Sequence, residues 1–104
     1  MKNTEESFES DLGDVKVSKT YIRREKKESE HWDRIERTFH DRELVEKAMF
    51  REIENIDYLQ ESVYPCIKIK IGGDWKRLFF HIGDQAKSCY RRLEYNWKSH
   101  LQRQ

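Results

Sequence analysis

The clearest pattern along the chain is an alternation. Cys66-Ile67-Lys68-Ile69-Lys70-Ile71 sets apolar against polar side chains at period two, with isoleucine at most of the apolar positions, as a half-buried strand requires. Gly72-Gly73 follows, a pair able to take the positive φ angles of a tight hairpin turn, and Trp75 to His81 reads as the return strand. With an even-numbered loop, Ile67, Ile69 and Ile71 share a face with Leu78 and Phe80. Lys68, Lys70 and Arg77 then share the opposite face with Trp75 and Phe79. A slip of one residue would exchange the two faces.

The period changes after Gly83 and Asp84, which stop the strand and cap a helix. Ala86, Cys89, Tyr90, Leu93, Trp97 and Leu101 recur at helical spacing over about four turns. The other side of this helix carries Lys87, Arg91, Lys98 and the ring of Tyr95. Such a helix has one long apolar stripe and belongs across a sheet.

The first half is less regular. Residues 1–13 show no period and end in Gly13, which predicts a flexible acidic leader. Val15, Val17 and Tyr21 alternate with polar residues, as do Ile35, Arg37 and Phe39, so a hairpin is expected with Lys26 to Glu30 as its connection. Asp41 can cap a helix starting at Arg42, with Leu44, Val45, Ala48 and Met49 as its stripe and Glu43–Lys47 as an i,i+4 ion pair. Arg51 to Tyr58 fits neither period well and admits a short strand; Ser62 to Pro65 is a connection. The expected architecture is a single α+β domain over residues 14–104. It consists of an antiparallel sheet of four to five strands with a C-terminal amphipathic helix packed on it.

Composition changes this picture in one respect. Of the 104 residues, 39% are charged and only 36% apolar, a balance that leans toward disorder; the 12% of aromatics supply enough large side chains for a small core. The net charge of +1 conceals an asymmetry. Residues 1–14 hold one base against five acids, whereas residues 62–104 hold nine bases against three acids. A basic C-terminal part hints at a polyanionic partner. No apolar run is long enough to span a bilayer, and the polar, acidic N-terminus is unlike a signal peptide. Cys66 and Cys89 are therefore expected as reduced thiols in a cytoplasmic protein.

Candidate chemistry is sparse. The chain has no glycine-rich phosphate loop, no G-x-S-x-G, no H-E-x-x-H and no C-x-x-C. Cys66, Cys89 and His81 would make an incomplete zinc set with no usual spacing. Glu36, Asp41 and Asp57 are carboxylates that nothing singles out as an acid/base pair. No enzyme, metal or cofactor is expected. What rises above this background is a set of basic and aromatic residues: Lys68, Lys70, Trp75, Arg77 and Phe79 on the hairpin, and Lys87, Arg91 and Lys98 on the helix. Ammonium and guanidinium groups among rings suit phosphates and stacked bases. The same residues also suit the wet side of an antiparallel sheet.

The stretch Arg51-Glu52-Ile53-Glu54-Asn55-Ile56, the hairpin Ile67 to Gly73, Leu78-Phe79-Phe80 and the closing helix Asp84 to Leu101 follow one another in an order that resembles the end of a pleckstrin-homology-like domain. The likeness is to the type found in many small uncharacterised prokaryotic proteins, and it covers about half of the chain. It implies a strongly bent antiparallel sheet whose open end is plugged by the C-terminal helix. The sequence departs from that family in its first half, with about five candidate strands where the family has seven and a helix inserted around Leu44 to Met49. No binding residue carries over, because the family spans lipid, peptide and protein binders. The functional expectation is a non-enzymatic interaction module that binds another protein. The alternatives are a nucleic-acid-binding protein using the basic-aromatic face of the C-terminal hairpin and helix, and a binder of anionic lipid headgroups.

Overall fold

The computed structural model describes residues 5–10, 13–26, 45–59, 65–80 and 83–102. Within them lie seven antiparallel strands in two sheets and one long helix, an α+β architecture. The first sheet runs β1 (Glu6–Ser10), β2 (Gly13–Val17), β3 (Tyr21–Lys26) and β4 (Lys47–Met49), in that spatial order. The second runs β5 (Ile53–Leu59), β6 (Cys66–Ile71) and β7 (Asp74–Phe79). A short 3-10 turn, Phe50–Glu52, carries the chain from β4 into β5, and helix α1 (Gly83–Gln102) closes the fold.

The expected β6–β7 hairpin is present in the expected register. Ile67 lies opposite Leu78, Lys68 opposite Arg77 and Lys70 opposite Trp75. Gly72 and Gly73 both have positive φ, 59° and 84°, which is the requirement of the tight primed turn whose twist matches that of the strands. Ile67, Ile69, Leu78 and Phe80 are fully buried. The helix stripe is equally clear: Ala86, Cys89, Leu93 and Trp97 are buried, and all four join the isoleucines, Leu78 and Phe80 in one core cluster.

The first half differs from expectation in several places. The segment expected to be a flexible leader contains a strand: within residues 1–13, Glu6–Ser10 pairs with β2 as an edge strand. Its one large apolar residue, Phe8, enters the core. Glu5, just before β1, reaches across the sheet and accepts hydrogen bonds from Arg23 Nε at 2.7 Å, Arg23 Nη2 at 2.9 Å and the Tyr21 hydroxyl at 2.6 Å. The Arg23 guanidinium and the Tyr21 hydroxyl hold the Glu5 carboxyl well down, at about 2. The Val15-to-Tyr21 segment is itself a hairpin, β2 turning into β3 around Ser18, whose hydroxyl accepts from the N–H groups of Thr20 and Tyr21. The strand expected at Ile35 to Phe39 lies outside the described residues, as does the start of the helix expected from Arg42. From Val45 onward that helix is replaced by extended chain. Ala48 pairs with Ile22 of β3, and Arg24 Nε bonds the Val45 carbonyl at 2.8 Å. Valine, alanine and methionine fit either structure, and the open edge of β3 decides between them. Among the described residues the strand count is thus seven rather than four or five.

Two further corrections concern single residues. Phe79, placed with the exposed set, is only 4% exposed and sits opposite Cys66, itself 1% exposed, in a covered corner outside the main core cluster. Leu101, placed on the buried stripe, is 43% exposed, and in the last turn it is His100 that packs inward, its ring edge-on against Phe50 at 5.9 Å between centroids.

The helix is tied to the first sheet by polar contacts as well as by its stripe. Gln85 accepts from the Glu9 N–H of β1 at 3.3 Å, Arg92 pairs with Glu6 at 3.1 Å, and Asn96 Nδ2 bonds the Ser18 carbonyl at 2.9 Å. Against the second sheet, Tyr90 stacks on Tyr58 with ring centroids 5.4 Å apart. The sheets meet where the Val45 N–H donates to the Arg77 carbonyl at 3.1 Å.

Three outcomes are expected from this packing. Trp97, 9% exposed in the shared core, should cost about 3–5 kcal/mol when replaced by alanine, measured by denaturant unfolding. The Glu5 carboxyl is depressed in the folded state, so its contribution to stability is full above pH 4.5 and fades as the pH falls toward 2. The unfolding midpoint of the wild-type protein should therefore drop more steeply over that interval than that of Glu5→Gln. Finally, burial raises the Cys66 thiol to about 11 and raises that of Cys89 as well. The two also lie in separate environments, Cys89 within the core cluster and Cys66 outside it. Neither should react with a thiol reagent at neutral pH until the protein is unfolded, and mass spectrometry should then find two labels without prior reduction.

Candidate functional site

The residues expected to form a site separate into two surfaces. On β6 and β7, Lys68, Lys70, Trp75 and Arg77 alternate with core-directed residues and so point outward from the second sheet. On α1, Lys87, Arg91 and Lys98 are exposed on the side away from Leu93 and Trp97. Ile67, Ile69, Leu93 and Trp97 belong to one cluster, and the two basic sets face away from it, one on the outer side of the sheet and one on the outer side of the helix.

The sheet surface is largely self-satisfied. Lys68 Nζ sits 4.7 Å from the centroid of the Trp75 ring and Lys70 Nζ 6.0 Å from it, so the π cloud that a base would stack upon already attracts two ammonium groups. Asp57 of β5 lies beside Lys68 in register, placing a carboxylate on the same face. Trp75 itself is half-buried, and Phe79 is not available at all.

The helix surface is different. Tyr95, opposite the buried stripe, is 66% exposed. It stands between two shallow grooves of about 490 and 500 Å³ that share Tyr95 and Arg91 as their common wall. The first is floored by Phe8 of β1 and flanked by Ser88 and Arg92, and the second runs past Glu94 and Lys98 toward Gln102. The Arg92 guanidinium lies 6.0 Å from the Tyr95 ring centroid. Of the acids nearby, Glu6 is held by Arg92. Glu94 accepts from the Tyr90 hydroxyl at 2.7 Å and pairs with Lys98 at 3.5 Å; the Tyr90 bond is the larger reason its carboxyl is lowered. Tyr90 is in turn raised to about 12, first by burial and then by that carboxylate.

Sequence reasoning placed Tyr95 on this side of the helix but gave it no role, and it missed Arg92 and Phe8. Helical spacing from Arg91 and Ser88 points to Tyr95 and Arg92; Phe8 carries no such signal, since only the pairing of β1 brings it beneath the helix. Asp57 is exposed and accepts from its neighbour's N–H, whereas Glu36, Asp41 and His81 lie outside the described residues. Among the described residues no cluster of histidine, cysteine, aspartate or glutamate is arranged to hold a metal ion, and no helix is long and apolar enough to cross a membrane. Comparison with protein-family models, with curated proteins and with solved structures finds nothing that matches this chain.

Proposed function

We propose that this protein is a non-enzymatic interaction module of pleckstrin-homology-like architecture that binds another protein through the outer face of α1. The architectural part rests on strand order. Seven antiparallel strands followed by a C-terminal helix packed on them support it, since the resemblance implies seven strands closed by such a helix. The functional part rests on one observation above the others: a tyrosine two-thirds exposed at the centre of a basic helix face, with a groove on either side. Aromatic and arginine side chains are the groups enriched where proteins bind one another.

Partner binding by strand addition is less well supported than helix-face docking, because N–H groups along β1 and β5 are already engaged. The Glu9 N–H of β1 is taken by Gln85, and along β5 the N–H groups of Ile56 and Tyr58 are accepted by Asn55 and Asp57 at 2.9 Å each. Nucleic-acid binding is favoured by the cluster of Lys68, Lys70 and Arg77 but weakened by the two lysines already seated on Trp75.

A pull-down from the native host, with and without nuclease, distinguishes these readings when run on two variants. Protein capture should survive nuclease and survive Lys68→Glu with Lys70→Glu, and should be lost in Tyr95→Ala with Arg91→Glu. Capture that disappears on nuclease treatment, or that follows the sheet lysines instead, would overturn the proposal.

A further inference from the structure

Resting on that reading, we infer that the segment which docks on α1 is an acidic stretch bearing apolar side chains, one of which enters the groove between β1 and α1. Among the described residues, four cations line the outer helix: Lys87, Arg91, Arg92 and Lys98. Arg92 and Lys98 are matched by Glu6 and Glu94, but Lys87 and Arg91 have no carboxylate within ion-pair distance among the described residues. Arg91 borders both grooves. An arriving carboxylate therefore finds an unmatched guanidinium at the centre of the surface, and Arg geometry suits it bidentately.

Phe8 and the Tyr95 ring give the groove an apolar floor and wall, and Arg91, the Ser88 hydroxyl and the Arg92–Glu6 ion pair give it a polar rim in which Arg91 is the unmatched charge. A side chain that fills this space is apolar at its tip, and the backbone around it carries acids that meet the rim. Polyglutamate offers the charges without the anchor. A phosphodiester chain offers anions and bases, but Arg92 already lies against the Tyr95 ring. A bilayer surface is anionic and broad, so it would meet Glu6 and Glu94 together with the cations, and Phe8 is buried beneath its reach. An acidic, apolar-bearing protein segment uses all of these features at once.

Fluorescence anisotropy on the full chain tests this with a labelled synthetic peptide alternating glutamate with leucine and phenylalanine. Polyglutamate, oligothymidylate and phosphatidylserine vesicles serve as competing probes. The alternating peptide should bind saturably and more tightly than any of the three. Tyr95→Ala should weaken it by about ten- to thirtyfold, the effect of removing a central aromatic contact. Arg91→Glu should abolish binding, and Lys68→Glu should leave it unchanged. Because Tyr95 is exposed, its variant should keep the wild-type circular dichroism and melting curve, which separates lost contact from lost fold. The inference is overturned if the alternating peptide does not bind, if polyglutamate binds equally and ignores Tyr95→Ala, or if the oligonucleotide or vesicles bind more tightly through Tyr95 and Arg91. A silent peptide beside host-protein capture that still requires Tyr95 would remove this inference and leave the protein-binding reading standing; loss of both would remove the reading itself.

Discussion

The apolar stripe of α1 is the surface on which the rest of the molecule closes. Two small antiparallel sheets each have a face to bury, and neither has enough apolar surface to bury it alone. Ala86, Cys89, Leu93 and Trp97 supply a shared partner, so that Val15, Val17 and Ile22 from the first sheet and Ile67, Ile69 and Leu78 from the second belong to one cluster. A chain in which 39% of the residues are charged has few apolar groups to spare, and concentrating them around one helix is how it obtains a core at all.

The same economy explains the polar contacts. β1 is short and contributes one large apolar side chain, so it is held chiefly by ion pairs and hydrogen bonds: Glu5 to Arg23 and Tyr21, Glu6 to Arg92, and the Glu9 N–H to Gln85. Two of the acids that make the N-terminal part negative, Glu5 and Glu6, are thereby used in structure. They fix the strand that floors the groove under Tyr95, so the architecture of the first sheet and the shape of the helix surface are coupled. The basic residues of the second half are divided by the core into two sets. One is covered by its own tryptophan and a neighbouring aspartate, and the other is left facing outward around Tyr95.

The elements that could be read from sequence are those whose apolar residues carry one unambiguous period. The run from Cys66 to Ile71 cannot be a helix without scattering its isoleucines, and the stripe from Ala86 to Trp97 cannot be a strand without doing the same. The two glycines between β6 and β7 then fix the register. Where a segment offers few apolar residues, period fails. Phe8 alone cannot announce a strand, and Val45, Ala48 and Met49 satisfy a helix as well as the extended chain they adopt beside β3.

By itself, then, the sequence determined the fold class, the closing helix with its buried and exposed sides, and the hairpin with its two faces, because each follows from spacing within a single segment. The tertiary structure alone decided that the described residues form seven strands in two sheets, that Phe79 and Cys66 are covered, and that the predicted basic residues are divided between the outer side of a sheet and the outer side of the helix. It also brought Phe8, Arg91, Arg92 and Tyr95 around one groove. These outcomes depend on pairings between segments distant in the chain. β1 meets the helix only through the sheet it joins, and a strand edge such as that of β3 recruits whatever neighbour can complete its hydrogen bonds.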